Sequence, residues 1–194
     1  MAGRLAGDPG FYSEVIRLVF RSKKQEGETH EPTEGERKIA TNAYRLLTHW
    51  RRPPGSREDG SIDSAALESW VTRMKQDCKE SGHFEIGMSM VGHVLKYAPP
   101  DPDGLWIHRG TASVLNAKDA ANMRDGFRTE FFNSRGVHGF SGGENEKALA
   151  ERYRDLANSV EEAGFVRVAT TMRELAAQYD ADAKREAASR PFEN

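Results

Sequence analysis

Apolar residues in this chain recur every three or four positions and almost never every second one. Because an α-helix makes a turn in 3.6 residues, that spacing gathers them on one helical face, and no stretch alternates long enough for a half-buried strand. Phe11, Val15, Leu18 and Val19 share a face, with Tyr12, Ile16 and Phe20 beside it. Ile39, Ala43, Leu46 or Leu47, and Trp50 form a second stripe, and Leu67, Trp70, Val71, Met74 and Cys78 a third. A fourth runs through Phe84, Met88, Val91, Val94, Leu95 and Ala98. Each stripe predicts a helix that packs against others.

Capping chemistry sharpens the boundaries. Asp8-Pro9 pairs a capping acid with the one helical position that suits proline. Thr33 and Glu36 have capping-box spacing, and Asp63 is an N-cap with Ile62 and Leu67 placed as a hydrophobic staple around it. Pro53-Pro54, Ser81-Gly82 and Pro99-Pro100 stop the second, third and fourth helices. Gly87 and Gly92 each cost the fourth helix about 1 kcal/mol relative to alanine, so a close approach of another backbone is expected there. Short helices follow near Ala112–Leu115 and from about Asp119 to Phe132. Glu144–Ala163 and Val166–Ser189 predict an antiparallel hairpin, with Gly164 at the turn.

The expected fold is therefore all-α: an irregular bundle of seven or eight helices in one domain over 1–194, ending in that hairpin. Residues 23–32 read as a mobile loop, 133–143 as a glycine-rich connecting loop and 184–194 as a frayed tail. One echo stands out. An aromatic residue, two prolines, an Asp-Gly and an apolar residue recur at a period of 44, counted between Gly60 and Gly104, as a duplicated helix pair would give.

Several function classes are disfavoured. With 28 basic and 30 acidic residues the net charge is −2, so the overall field offers no reason to bind nucleic acid or a membrane. The single cysteine, Cys78, excludes an internal disulfide and reads as an inert core thiol. No apolar run approaches the ~20 residues that span a bilayer, and the start MAGRLAGDPG lacks a hydrophobic leader, which points to a cytoplasmic chain. His30, His49, His83, His93, His108 and His138 show no metal-binding spacing. The two Asp-Gly loops lack the carboxylate a calcium loop needs at its twelfth position. No Walker loop, nucleophile elbow or dinucleotide fingerprint is present, so neither a cofactor nor a metal is expected.

Two surfaces remain. Phe131–Glu146 sets four glycines, Arg135 and His138 between helical runs. There Gly142 and Gly143 open a helix whose free N–H groups, with Arg135 and His138, could hold an anion. Glu144 and Glu146 oppose that, and a plain connection pinned by Val137 and Phe140 is the simpler reading. The other surface is the Arg-Pro loop with Arg51 and Arg52. Arg21, Lys23, Lys24 and Arg57 add basic charge, and Trp50 and Trp106 would stack bases if exposed.

Three segments, DPGFYSEVIRLVFRSK, LLTHWRRPPGSREDGSIDSAALESWV and NSRGVHGFSGGENEKALAERYRDLA, together resemble a recurrent helical module of bacterial proteins that is often attached to larger chains. That resemblance implies no catalytic residue and suggests a fused neighbouring domain. The expected function is a non-catalytic protein–protein interaction or assembly module. A nucleic-acid-binding domain and an enzyme whose Glu, His and Arg come from separate helices are the alternatives. The partner and the oligomeric state are not legible.

Overall fold

The computed structural model describes residues 2–25, 31–136 and 141–189. Among these it is all-α, with nine α-helices and no strand beyond one isolated bridge, Ser56 to Ile62. The helices are α1 (Ala2–Gly7), α2 (Pro9–Val19), α3 (Glu34–Thr48), α4 (Ser64–Ser81), α5 (Phe84–Leu95), α6 (Arg109–Asn116), α7 (Ala121–Asn133), α8 (Glu144–Glu162) and α9 (Val166–Ala188). The one beyond the expected seven or eight is α1. Its six residues are too few to show a period, and burial of Leu5 and Ala6 holds it in place.

The caps form as the sequence writes them. The Asp8 side chain accepts from the Phe11 N–H at 2.9 Å, and Asp63 from the Ala66 N–H at 3.0 Å. Thr33 and Glu36 close a reciprocal capping box. Ile62 and Leu67, the two halves of the staple, are both buried.

The core has two aromatic centres. Tyr12, Trp50 and Trp70 meet with ring centroids 5.1 to 6.0 Å apart, joining α2, the end of α3 and α4. Trp106, Phe127, Phe131 and Tyr153 form a second group, which Tyr179 extends by stacking on Tyr153 at 5.4 Å. Between them α5 lies against α7 along two glycines. A Cβ on Gly92 would stand 2.8 Å from the Phe127 nitrogen and closer still to the Met123 carbonyl oxygen; one on Gly126 would meet the Ser89 backbone in the same way. Gly92 thus permits the expected backbone approach. Gly87 instead faces the Cys78 side chain, and its carbonyl accepts from the Tyr12 hydroxyl at 2.6 Å.

The chain ends in the hairpin. Tyr153 stacks on Tyr179, and from Arg154 with Asp180 to Glu161 with Arg173, at 2.8 Å, the partners advance along α8 as they retreat along α9. Gly164, at φ +90°, makes the turn.

The segment expected as a mobile loop begins in order. Residues 23–25 form a 3₁₀ turn, where the Lys23 N–H donates to Gly82 and the Lys24 ammonium to the Glu80 carbonyl at 2.6 Å. Residues 26–30 lie outside the described residues. The expected fraying from residue 184 is also corrected, since α9 continues to Ala188 and Glu186 bonds the Ser141 backbone at 2.8 Å; 190–194 are not described.

The 44-residue echo is a repeated turn. In 57–61 and again in 101–105 the first N–H donates to the fifth carbonyl, and the fourth, a glycine with φ +85° or +91°, donates back to the first. This is a type I turn closed by a glycine bulge. The helices that follow start at Ser64 and Arg109, one residue out of step, and run to 18 and 8 residues, so no helix pair is duplicated.

Candidate functional site

The glycine-rich connector turns inward. Gly142 and Gly143 adopt φ +68° and +92°, and a Cβ on Gly143 would collide with the Ala183 carbonyl of α9. The Arg135 guanidinium is 3.5 Å from Glu146 and 3.9 Å from Asp182, and it lies over the Phe132 and Tyr179 rings. Arg135 therefore neutralises a nearly buried acidic pair of its own chain. Anion capture at the start of α8 is corrected for the same reason. Glu186 takes the Ser141 N–H, and Ser141 Oγ contacts both Glu146 and Glu186, so the protein's own carboxylates occupy the place an anion would fill. The Ser141 N–H bond holds the Glu186 carboxyl below its ordinary range, outweighing the desolvation that opposes ionisation. His138, Val137 and Phe140 lie outside the described residues.

The Arg-Pro loop is also turned toward its own backbone. Arg51 donates to the Thr48 carbonyl at 2.7 Å and to the Trp50 carbonyl, and Arg52 to the Ser56 carbonyl at 3.1 Å. Arg57 pairs with Asp63, and Lys23 with Glu85. Base stacking is excluded at Trp50, which is 1% exposed inside the aromatic trio. Trp106 is half-buried against Phe127 and Phe131, with its indole N–H tied to the Leu156 carbonyl at 2.9 Å. Neither platform needed for single-stranded nucleic acid is open.

A Glu, a His and an Arg from separate elements do meet, at residues the sequence did not single out as a group. Glu130 of α7 accepts from His93 Nδ1 at 3.0 Å and from the Tyr97 hydroxyl, while Arg51 stands 3.8 Å away and covers the Tyr97 ring. Burial would raise the Glu130 carboxyl; the Tyr97 and His93 bonds and the Arg51 charge outweigh it and hold the carboxyl below its ordinary range. Burial, then Glu130, push the Tyr97 hydroxyl up. Only the i, i+4 spacing of His93 and Tyr97 could have signalled it, and Tyr97 falls just past the end of α5. Among five clefts of about 260 to 580 Å³ on the described surface, none is lined by Glu130, His93 or Tyr97. The cluster ties α5 to α7. Among the described residues no group of acidic, histidine or cysteine side chains is arranged to hold a metal.

The largest of these clefts, about 580 Å³, is a groove between the end of α2 and the start of α3. Leu18, Phe20, Ile39 and Ala40 form its apolar floor, and Arg17, Arg21 and Arg37 stand at its edge. Leu18 and Ile39 are each 52% exposed, although both lie on the apolar stripes that their helices would turn inward. Tyr44, one turn beyond Ala40, is 50% exposed. The stripes are wider than the fold covers, because α3 buries only Ala43 and Leu47 and packs chiefly on α2.

Compared with models of protein families, with curated proteins and with solved structures, the chain matches none. No helix among the described residues is long and apolar enough to cross a membrane.

Proposed function

We propose that this chain is a protein–protein interaction module whose contact surface is the α2–α3 groove, and that its partner is an acidic amphipathic helix. The observation carrying this reading is the exposure of Leu18 and Ile39 from two helices into one groove. Apolar stripe residues left open on facing helices are a surface that lacks its third element. The edge selects the sign of the partner. Arg17 and Arg37 border the groove beside one carboxylate, Glu36, whose oxygen is already bonded to Thr33 in the α3 cap. Among the described residues Arg17 and Arg37 have no carboxylate partner. An incoming helix with leucines at helical spacing and glutamates beside them would cover the apolar floor and meet those guanidiniums.

Two synthetic helical peptides test this, both with leucine at i, i+3, i+4 and i+7 and with either glutamate or lysine at the flanking positions. Calorimetric titration should show saturable binding of the glutamate peptide, at least tenfold tighter than the lysine peptide. Burying the exposed halves of Leu18 and Ile39 is worth about 1 kcal/mol each, so Ile39→Ser should weaken binding roughly fivefold. Equal binding of both peptides, or no effect of Ile39→Ser, refutes the reading. Reversible dimerisation abolished by Ile39→Ser would replace the acidic partner with a second copy of the chain.

A further inference from the structure

On another side of the molecule, a cleft of about 290 Å³ separates the start of α7 from the start of α9. Arg124, from α7, and Arg167, from α9, both line it, together with Thr170 and Thr171. Arg124 is fixed by its own backbone: one terminal nitrogen donates to the Leu115 carbonyl at 2.7 Å and to the Ala117 carbonyl at 2.9 Å. Arg167 is fixed through Asn116, whose side-chain oxygen accepts the Arg167 N–H at 2.8 Å and whose carbonyl accepts the guanidinium at 3.2 Å. The end of α6 thus anchors both side chains. Each has bonds only to neutral oxygens and, among the described residues, no carboxylate within ion-pair distance.

The two guanidiniums line one cleft and act on each other, with Asp125 and Glu174 near but not within ion-pair distance of either. Burial, and then the charge of Arg167, pull the Arg124 guanidinium below its ordinary range. The cleft has two carboxylates in its wall, Asp125 and Glu174, and both face Arg128, at 3.6 and 3.1 Å. Both lining carboxylates are thus ion-paired outside the lining, with Arg128, while Arg124 and Arg167 carry no ion pair among the described residues. The remaining guanidinium N–H groups present the planar, multi-donor geometry that suits a tetrahedral oxyanion.

We infer that the α7–α9 cleft is an oxyanion site in which Arg124 and Arg167 together bind a phosphate group. It is independent of the α2–α3 groove. An anion placed there supplies the ion pair that Arg124 and Arg167 lack and meets donors already held by backbone carbonyls, so binding requires little ordering of the arginines.

The test is titration of the intact chain with inorganic phosphate and, separately, with phenyl phosphate, against chloride at matched ionic strength. Two charge-assisted contacts correspond to a Kd of about 1 mM. Phosphate at ten times that Kd should then raise the melting midpoint by roughly 3–6 °C relative to chloride. Arg167→Gln should weaken binding about tenfold. Glu174→Gln, which removes a lining carboxylate, should tighten it severalfold, a change that a purely structural role would not produce. Arg152→Gln, on the outside of α8, should leave it unchanged. Preference for phenyl phosphate would identify the ligand as a phosphomonoester, and preference for inorganic phosphate a free ion; either supports the site. The inference is overturned if neither compound binds more than chloride, or if Arg167→Gln and Glu174→Gln leave binding unaltered.

Discussion

Replacing Gly92 with alanine sets two well-measured effects against each other. In an exposed helix the substitution stabilises by about 1 kcal/mol, because alanine restricts the unfolded chain. Here the new methyl would lie 2.8 Å from the Phe127 nitrogen, 2.9 Å from the Met123 carbonyl carbon and nearer still to its oxygen, where 3.4–4 Å is ordinary contact. Those are backbone atoms and cannot rotate aside. The α5–α7 pair must part by more than half an ångström, loosening Val91, Met123 and Phe127, which are all buried. Overpacking of this kind costs about 1–3 kcal/mol, and a clash with backbone belongs at the upper end. The net is a loss of about 2 kcal/mol, or roughly 4–8 °C in melting midpoint for a chain of this size.

Gly126→Ala meets the Ser89 backbone across the same crossing and should cost a similar amount. Because each change opens the space the other needs, the double variant should lose less than the sum of the two. Gly35→Ala is the control. Nothing lies closer than 4.0 Å to its added methyl in the first turn of α3, so it should stabilise by about 0.5 kcal/mol. Urea unfolding followed by circular dichroism measures all four. If Gly92→Ala is as stabilising as Gly35→Ala, the close approach of α5 and α7 is wrong.

Other outcomes follow from the same structure. Cys78 is fully buried and burial pushes its thiol up, so a disulfide-exchange reagent should leave the native protein unlabelled and react fully in denaturant; rapid native labelling would show that α4 opens. The folded Glu130 carboxyl lies below its unfolded value of about 4.3, so its stabilisation is fully present above that pH and lost as pH falls through the lower folded value. Glu130→Gln should therefore flatten the acid limb of a stability–pH profile below about pH 4.3, and identical limbs would remove the charge-based account.

Much of the architecture was legible because it is local. The caps at Asp8, Thr33 and Asp63 lie within three residues of the amides they serve, and the apolar periods needed only neighbours on the same helix. The functional surfaces were harder to read. Trp50 sits on the apolar stripe of its helix, yet whether it is covered or open for stacking could not be read locally, because Tyr12 and Trp70, which enclose it, come from other helices. Arg135 looked like a free loop cation because its partners Glu146 and Asp182 lie on two different helices. Leu18 and Ile39 erred the other way: periodicity put them inside, and the reach of the surrounding helices left them open.

Helical class, most boundaries and the closing hairpin were determined by the sequence itself, because periodicity and capping depend on residues a turn or so apart. Tertiary structure alone decided which stripe positions stay uncovered, which cations find carboxylates, and that Arg124 and Arg167 face one cleft without one. Those outcomes depend on residues brought together from different elements, such as Arg124 and Arg167, and on the surface that the described helices can cover, and a single helical period carries neither.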